Sequence, residues 1–315
     1  MYGTKAAESL GVDPLDILVI PAGESSKTRG TWGWVTDELI TRGFGRDSAL
    51  VSLGGGVVVD LAGFVAATYM RGIPIVHAPT SLLAMIDASI GGKTGVDTQF
   101  GKNLVGSFHQ PSGVFADPQV LETLPLSELR TGFAEALKHG AIADRLYFDS
   151  VVRAIPDVLY DGRGSGDSLA GLIVGSIEIK AGIVGRDELE GGVRKILNFG
   201  HTIGHAVEML SGYSLAHGEA VSIGMTLESR LAERLGIATP GLEKEVRGAL
   251  KAAGLPVTLP EGMEADRILE VMRSDKKARA GSVQYALPRA IGEMAGRESG
   301  WTVFVEDAIV REVLT

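Results

Sequence analysis

The first third of the chain alternates short apolar runs with amphipathic segments, and this alternation strongly limits the possible folds. Apolar runs at 15–20, 48–53 and 73–78 predict strands. An amphipathic segment with Trp32, Val35, Leu39 and Ile40, and the run 57–64, predict helices. Alternating strands and helices are typical of a parallel sheet with helices packed on its faces. We therefore predict an α/β domain with a Rossmann-like parallel sheet, with ligands bound at the carboxyl ends of its strands.

Glycines 54–56 join the second predicted strand to the helix that follows it. A strand, a glycine turn and a helix in this order allow backbone N–H groups to approach a phosphate at the helix N-terminus. The pattern differs from the dinucleotide motif G-x-G-x-x-G, so a plain tight turn is about equally compatible with these three residues. The run Gly91-Gly92-Lys93-Thr94 is similar to a P-loop but lacks its earlier glycine, so we exclude that motif.

Two lysines, Lys93 and Lys102, nevertheless lie among glycines, where an ammonium group suits an anionic ligand. The alternative is a surface loop with ordinary solvated lysines. Strand patterns nearly vanish beyond 117–125, and helical patterns replace them. We therefore predict two domains, an α/β domain over 1–118 and a mainly α-helical domain over 119–315, with a short strand pair near the end of the second.

The second domain holds a cluster of polar side chains in apolar surroundings, namely Asn198, His201, His205 and His217. Their apolar neighbours recur at helical spacing, so the histidines lie on or beside core-facing helices, where an unpaired imidazole is costly. Neutral imidazole is a common zinc ligand, which favours a metal site with a neighbouring acid or base. Hydrogen-bonded core histidines are the alternative, and spacing alone does not settle which three groups bind the ion.

Composition narrows the function further. The chain has no cysteine, so a metal must use nitrogen and oxygen ligands. Its net charge of −9 argues against a broad nucleic-acid surface. The start has no apolar signal core, and the apolar runs are interrupted by Gly, Asp or Lys. We therefore predict a cytoplasmic protein that contacts neither nucleic acid nor membrane.

Several long segments resemble the 3-dehydroquinate synthase family. They are GGGVVVDLAGFVAATYMRG, PTSLLAMIDASIGGKTGVDTQFGKNLVGSFHQP, GFAEALKHG, ILNFGHTIGHA and HGEAVSIGM, which together extend over most of 21–225. The last third matches more loosely, mainly at Asp275-Lys276-Lys277. Members of this family start with a further strand against the adenosine half of NAD. The resemblance thus implies a parallel sheet lacking that strand, with NAD affinity as the property most affected.

The resemblance implies a metal site of Glu135, His201 and His217 for Zn²⁺, with Co²⁺ as an alternative ion. His205 is then a proton-transfer group near the substrate phosphate. The implied NAD contacts are Glu24, Lys27, Gly55, Gly56, Asp60, Thr80, Ser81, Lys102 and Thr123. The other implied catalytic and substrate contacts are Asp87, Lys93, Asn103, Lys138, Lys180, Glu190, Arg194, Asn198 and one or both of Lys276 and Lys277. In the family an arginine matching Arg71 reaches the partner subunit's site, which implies a homodimer.

The implied activity is a carbon–oxygen lyase reaction of the shikimate pathway on a seven-carbon sugar acid phosphate, with NAD as a catalyst and not a net reactant. The basic residues suit a substrate that carries both a carboxylate and a phosphate. A related sugar phosphate cyclase for substrates without the carboxylate is the main alternative, although it has no use for the pair Lys180 and Arg194. Metal-dependent alcohol dehydrogenases share the fold but not the glycine-flanked lysines. A protein that binds substrate without turning over NAD is a further alternative.

Overall fold

The structure is a computed structural model that describes residues 2–99, 101–160, 166–274 and 283–315. The chain divides into two compact units, Met1–Leu124 and Pro125–Thr315, called unit 1 and unit 2 below. The candidates Lys276 and Lys277 lie outside the described residues.

Unit 1 is an α/β unit. Its elements are α1 (Gly3–Leu10), α2 (Arg29–Thr41), β1 (Leu50–Gly54), α3 (Gly56–Thr68), β2 (Ile75–Pro79), β3 (Lys93–Thr98), β4 (Gly101–Phe108) and β5 (Gly113–Val114). Within the described residues, β1, β2 and β5 form a parallel sheet in the order β1-β2-β5. The predicted parallel sheet is therefore confirmed. Helix α3 packs on this sheet and contributes Leu61 and Val65 to a core with Ile75 and Val96.

The predicted strand over 15–20 is wrong. Residues Pro14–Asp16 form a 3₁₀ turn, which starts where the side chain of Asp13 accepts a hydrogen bond from the Leu15 N–H. The following residues run extended but form no strand ladder, and Leu15 and Val19 are 78% and 76% exposed. An apolar run becomes a strand only when a neighbour accepts and donates its backbone hydrogen bonds.

The antiparallel pair β3–β4 was not predicted from the sequence, where we considered only lysines among glycines or a surface loop. Glycines interrupt the apolar pattern of both strands, and two of them, Gly95 and Gly106, lie opposite each other. A Cβ on Gly106 would lie 2.2 Å from the carbonyl oxygen of Thr94, so the strands approach closely only because this residue is glycine. The pair places Lys93 at the first position of β3 and Asn103 in β4.

Unit 2 is mainly helical, as predicted. Its elements are α4 (Leu126–Ala143), α5 (Arg145–Ile155), α6 (Gly166–Arg186), α7 (His201–Leu210), α8 (His217–Arg234), α9 (Leu242–Ala252), α10 (Ala265–Ser274), β6 (Gln284–Tyr285), β7 (Pro288–Ala290), β8 (Glu293–Met294), β9 (Val303–Phe304) and α11 (Asp307–Leu314). The predicted strand pair near the chain end is confirmed, since β6 pairs with β9 in antiparallel fashion.

Helix α4 is the centre of unit 2 and packs against α5, α6, α8 and α9. Most of its residues from Leu129 to Ile142 are buried, including charged ones. Helix α6 is long and apolar enough to span a membrane by length and composition alone. In the structure, α6 packs on α4 and α5 and buries the polar side chains of Ser176 and Lys180.

Candidate functional site

Three potential metal ligands converge in unit 2. Glu135 lies on α4 and is completely buried, and His201 and His217 are the first residues of α7 and α8. The Nε2 atoms of His201 and His217 each lie 3.6 Å from Oε1 of Glu135. One ligand atom from each of the three residues lies within 4.8 Å of the others.

These distances fit a shared divalent ion. Two ligands bound tetrahedrally at about 2.1 Å from zinc are roughly 3.4 Å apart, close to the spacing seen here. The separations of 3.6 Å are longer than a hydrogen bond, so direct hydrogen bonding does not explain why both imidazoles face the carboxylate. Two imidazoles and one carboxylate are also a donor set that zinc and cobalt accept, and they leave positions open for substrate oxygens.

The other ring nitrogens of the two histidines are held by neighbours. Nδ1 of His201 lies 3.1 Å from the carbonyl oxygen of Phe199, and Nδ1 of His217 lies 3.5 Å from the carboxylate of Glu208. A partner on Nδ1 fixes the ring orientation and directs Nε2 toward a metal. Burial lowers the pKa of His217, but the carboxylates of Glu135 and Glu208 outweigh it and raise that pKa to about 9. This position therefore favours a cation.

Sequence analysis missed Glu208. A signal was available, because Glu208 interrupts the apolar face of α7 one residue before Met209 and lies seven residues after His201, on the same side of the helix. A buried carboxylate on such a face needs a partner.

His205 lies beside the three-ligand group. Its ring centroid is 5.1 Å from that of His201 and 5.9 Å from that of His217. Within the described residues, its possible metal partners are Glu208 and His217, not Glu135. A position beside the Glu135, His201 and His217 group, but not within it, suits an imidazole that transfers protons.

Among the residues of unit 2 that the structure describes, three lysine and arginine side chains are buried. Lys138, Lys180 and Arg194 are 2%, 7% and 1% exposed. Lys138 is ion-paired with Glu135 one helical turn earlier, and an Nη1–H of Arg194 donates to the carbonyl oxygen of Glu188. Burying a cation costs free energy, and a bound anion would offset part of this cost, so the three buried cations suit an anionic ligand.

The loop that carries Arg194 is organised by Asp187. Its carboxylate accepts hydrogen bonds from the N–H groups of Gly191, Gly192 and Arg194, at 2.9, 2.7 and 2.9 Å. Desolvation opposes ionisation of Asp187, but these N–H donors outweigh it and lower its pKa. Sequence analysis gave Asp187 no role, although it precedes a pair of glycines whose N–H groups need acceptors.

A second hydrogen bond in the segment between α6 and α7 joins Glu190 and Asn198. The Asn198 side-chain amide donates to Oε1 of Glu190 at 2.8 Å, and Glu190 has a left-handed backbone with φ of 60°. Both are candidates from the sequence, and the structure brings them into direct contact.

In unit 1, the candidate NAD contacts gather at the carboxyl ends of β1 and β2. Gly55 precedes α3, and the Thr80 N–H donates to the carbonyl oxygen of Gly54 at 2.9 Å. A Cβ on Gly55 would lie 3.4 Å from Oγ of Ser81, so the glycine turn and the end of β2 are in close contact. Gly56 begins α3, which directs its free N–H groups to this edge of the sheet.

Four further candidates form a charged cluster. Lys27 is nearly buried and lies 2.5 Å from Asp60 on α3 and 4.0 Å from Glu24. Glu24 in turn lies 3.4 Å from Lys102. Burial lowers the pKa of Lys27, but Asp60 and Glu24 outweigh it and raise the pKa, so the ammonium form is stabilised.

The remaining candidates of unit 1 lie at separate positions. Asp87 lies on a π-helical turn, Ala84–Ala88, and Lys93 is exposed at the start of β3. The Asn103 N–H donates to Asp97, and the Thr123 hydroxyl is 3.0 Å from the Tyr2 hydroxyl. Arg71 has a left-handed backbone with φ of 65° in the turn after α3.

Solved structures with the same fold define the class of the protein. The chain matches 2-deoxy-scyllo-inosose synthase complexed with carbaglucose-6-phosphate, NAD+ and Co2+, with a TM-score of 0.88 and 28% identity over 99% of this chain and 86% of that one. It also matches 2-epi-5-epi-valiolone synthase from Streptomyces hygroscopicus subsp. jinggangensis 5008 with NAD+ and Zn2+ bound, with a TM-score of 0.87 and 30% identity over 99% and 86%. The fold is therefore that of a class of synthases, two members of which were solved with NAD+ and a divalent metal ion.

Within this class, the chain belongs to the 3-dehydroquinate synthase family. The models for the N-terminal and C-terminal parts of 3-dehydroquinate synthase match residues 17–131 and 132–278. A 3-dehydroquinate synthase from Xylella fastidiosa (strain M23) is 46% identical over 306 residues, which are 95% of this chain and 80% of the relative. The resemblance inferred from the sequence is confirmed.

Proposed function

We propose that the protein converts 3-deoxy-D-arabino-heptulosonate 7-phosphate to 3-dehydroquinate and phosphate in the shikimate pathway, which leads to the aromatic amino acids. Family membership supports this reaction, and relatives named for it match most of the chain. The observation that carries the proposal is the burial of three cations in the unit that holds the Glu135, His201 and His217 group. A substrate with both a carboxylate and a phosphate is the ligand that such a unit accommodates.

The cofactors are NAD and a divalent ion, zinc or cobalt. When bound, they supply reversible hydride transfer and Lewis-acid polarisation of substrate oxygens. We assign Glu135, His201 and His217 as the residues that hold the ion. NAD contacts are assigned to the glycine turn, to the strand ends and to the charged cluster of unit 1. These residues are Glu24, Lys27, Gly55, Gly56, Asp60, Thr80, Ser81, Lys102 and Thr123.

Recognition of the carboxylate is assigned to Lys180 and Arg194. Both are buried, and the backbone of Arg194 is fixed by Asp187. A guanidinium presents a planar fork of donors that matches a carboxylate, and an ammonium adds charge. A bound carboxylate would offset part of the cost of burying these two cations.

Phosphate binding and proton transfer are assigned to a second set of residues. Asn198 is oriented by Glu190, and His205 lies beside the ion ligands. His205 is an acid or base within reach of a substrate bound at the ion, with Lys138 and Asp87 as further polar groups. Lys93, Asn103 and Lys276 or Lys277 complete the proposed phosphate contacts, the last two from the family resemblance alone.

We also propose that the protein is a cytoplasmic homodimer in which Arg71 reaches the partner subunit's site. Arg71 is held in a turn with two consecutive left-handed residues, Met70 and Arg71. Such a backbone is rare for non-glycine residues and indicates a local constraint.

A cyclase that acts on a sugar phosphate without a carboxylate is the second candidate, because the two synthases with the same fold carry other names. An assay of phosphate release from the seven-carbon acid phosphate, with NAD and Zn²⁺ present, distinguishes the two candidate functions. We expect turnover that stops when either cofactor is withheld. Turnover of a sugar phosphate without a carboxylate, but not of the seven-carbon acid phosphate, would contradict the proposed reaction.

A further inference from the structure

Glu228 is a buried carboxylate that contacts the start of the helix carrying His201. It lies on α8, is completely buried, and reaches across to α7. Its Oε2 accepts a hydrogen bond from the Gly200 N–H at 2.6 Å, and its Oε1 accepts from the Ile203 N–H at 3.0 Å. These two N–H groups lie on either side of His201, at an end of the helix where backbone donors otherwise lack partners.

The backbone around His201 has no room to shift. Gly200 has a left-handed φ of 79°, and a Cβ there would lie 2.4 Å from Cγ of Met225. A Cβ on Gly224 would lie only 1.9 Å from the carbonyl oxygen of Gly200. The first turn of α7 therefore rests directly on α8, and Glu228 supplies the polar contact in that interface.

We propose that Glu228 is a positioning residue for the metal ligand His201. Its carboxylate fixes the N–H groups before and after His201, and so fixes the direction from which Nε2 approaches the ion. Its negative charge at the positive end of α7 strengthens both hydrogen bonds. The proposal rests on the metal site assigned under the proposed function. It adds a residue that does not touch the ion, and it predicts that metal affinity depends on this residue.

Glu233 provides a matched control on the same helix. Its Oε1 accepts hydrogen bonds from the N–H groups of Gly241 and Glu243, at 2.8 and 2.9 Å, at the start of α9. Glu228 and Glu233 therefore make the same kind of contact from the same helix. Only the contact of Glu228 adjoins a proposed ligand, so any difference between the two variants reports on the metal site.

The test is a Zn²⁺ titration of the purified chain against a chromogenic chelator, for the wild type, Glu228→Gln and Glu233→Ala. At position 228, glutamine is nearly isosteric but turns an NH₂ group toward a backbone N–H, so one of the two hydrogen bonds is lost. Alanine is used at position 233 because Oε1 of Glu233 accepts both hydrogen bonds, and glutamine would keep them. We expect Glu228→Gln to bind Zn²⁺ about 10- to 100-fold more weakly, the range for partners that orient a ligand. We expect Glu233→Ala to bind Zn²⁺ like the wild type.

Thermal unfolding of the metal-free proteins distinguishes positioning from general stability. Both variants should lose a similar amount of stability without metal, because each loses a helix-capping contact. Equal losses of Zn²⁺ affinity in the two variants, or unchanged affinity in Glu228→Gln, would overturn the proposal. If Glu228→Gln does not fold, Glu228→Asp replaces it, because the shorter side chain cannot reach both N–H groups. Wild-type Zn²⁺ affinity in Glu228→Asp would then contradict the inference.

Failure of the proposed function itself gives a different result. A wild-type chain that binds no stoichiometric Zn²⁺ removes the metal site and the inference together. A wild-type chain that binds Zn²⁺ while Glu228→Gln binds it equally well removes only the role of Glu228.

Discussion

Unit 1 and unit 2 differ in how they present most of their candidate cations. In unit 1, Lys93 is exposed and Lys102 is partly exposed, and the buried Lys27 is paired with Asp60. In unit 2, Lys138, Lys180 and Arg194 are all buried. Exposed charges attract an anion but are screened by salt, whereas buried charges act over short range and in fixed positions. We infer from this difference that unit 2 discriminates between substrates and that the exposed cations of unit 1 mainly assist binding.

The largest expected effect comes from the ion ligands in unit 2. Glu135→Gln removes the only carboxylate among the three proposed ligands and leaves Lys138 without its ion-pair partner. We expect loss of stoichiometric metal and a fall in phosphate release on the order of a thousandfold, since Lewis-acid stabilisation is worth several kcal/mol. Metal analysis and a phosphate-release assay measure this, and retained metal would show that the ligands are wrongly assigned.

His205→Ala should lower turnover while leaving metal content intact. General acid–base catalysis contributes about 10²- to 10⁴-fold, so a loss in this range is expected. Metal content and turnover are measured on the same preparation. Loss of the ion in this variant would assign His205 as a ligand, in place of a proton-transfer group.

Arg194→Met tests the discrimination assigned to unit 2. Binding of the carboxylated substrate should weaken by roughly 2–5 kcal/mol, the typical cost of breaking a buried charge pair. An analogue without the carboxylate serves as the matched ligand and should lose far less. Equal losses for the two ligands would make Arg194 structural and would favour the second candidate function.

A pH prediction concerns stability in unit 1. His77 is 2% exposed and its Nδ1 lies 2.7 Å from the Ser52 hydroxyl. Burial, and to a lesser extent the charge of His109, lowers the pKa of His77 to about 4 from an unfolded value of 6.5. The folded state therefore keeps His77 neutral, and stability is lost as pH falls from 6.5 toward 4. The total loss is roughly 3 kcal/mol for such a shift.

Urea unfolding at several pH values measures this loss. Trp301 of unit 2 is replaced by Phe, so that the fluorescence of Trp32 and Trp34 reports on unit 1. In His77→Asn the part of the pH dependence due to this residue should disappear. An unchanged pH dependence would show that other groups cause the loss.

The smallest effect is expected for Lys93→Met. Because Lys93 is exposed, substrate binding should weaken by about 1 kcal/mol or less, and the difference should shrink as salt is added. The effect of Arg194→Met should change little over the same salt range. A large, salt-independent loss for Lys93→Met would contradict the proposed difference between the units.

Much of this organisation follows from sequence patterns that depend on local physics. The parallel sheet follows from alternating apolar and amphipathic segments, and the helices of unit 2 follow from apolar spacing. The β3–β4 pair did not follow, because glycines interrupt both strands and obscure the β-branched residues that mark them. Strand 15–20 was predicted wrongly because local composition does not show whether a neighbouring strand exists.

The candidate site was also only partly predictable from the sequence. Glu135, His201 and His217 were assigned from the family resemblance, because histidine spacing alone also allowed His205. Glu208 was missed although it interrupts an apolar helix face, and its partner His217 is not apparent from the sequence. The contact of Glu228 could not be assigned, since it depends on the packing of α7 against α8. Hydrogen bonds between helices leave little trace in a single sequence.

The three proposed ligands come from three different helices, α4, α7 and α8. A bound ion would therefore cross-link distant parts of unit 2, as a disulfide does, in a chain that has no cysteine. Such a cross-link lowers the entropy of the unfolded chain only while the ion remains bound to all three ligands. The midpoint of thermal unfolding of unit 2 should accordingly depend on the concentration of free metal, which links folding to metal supply.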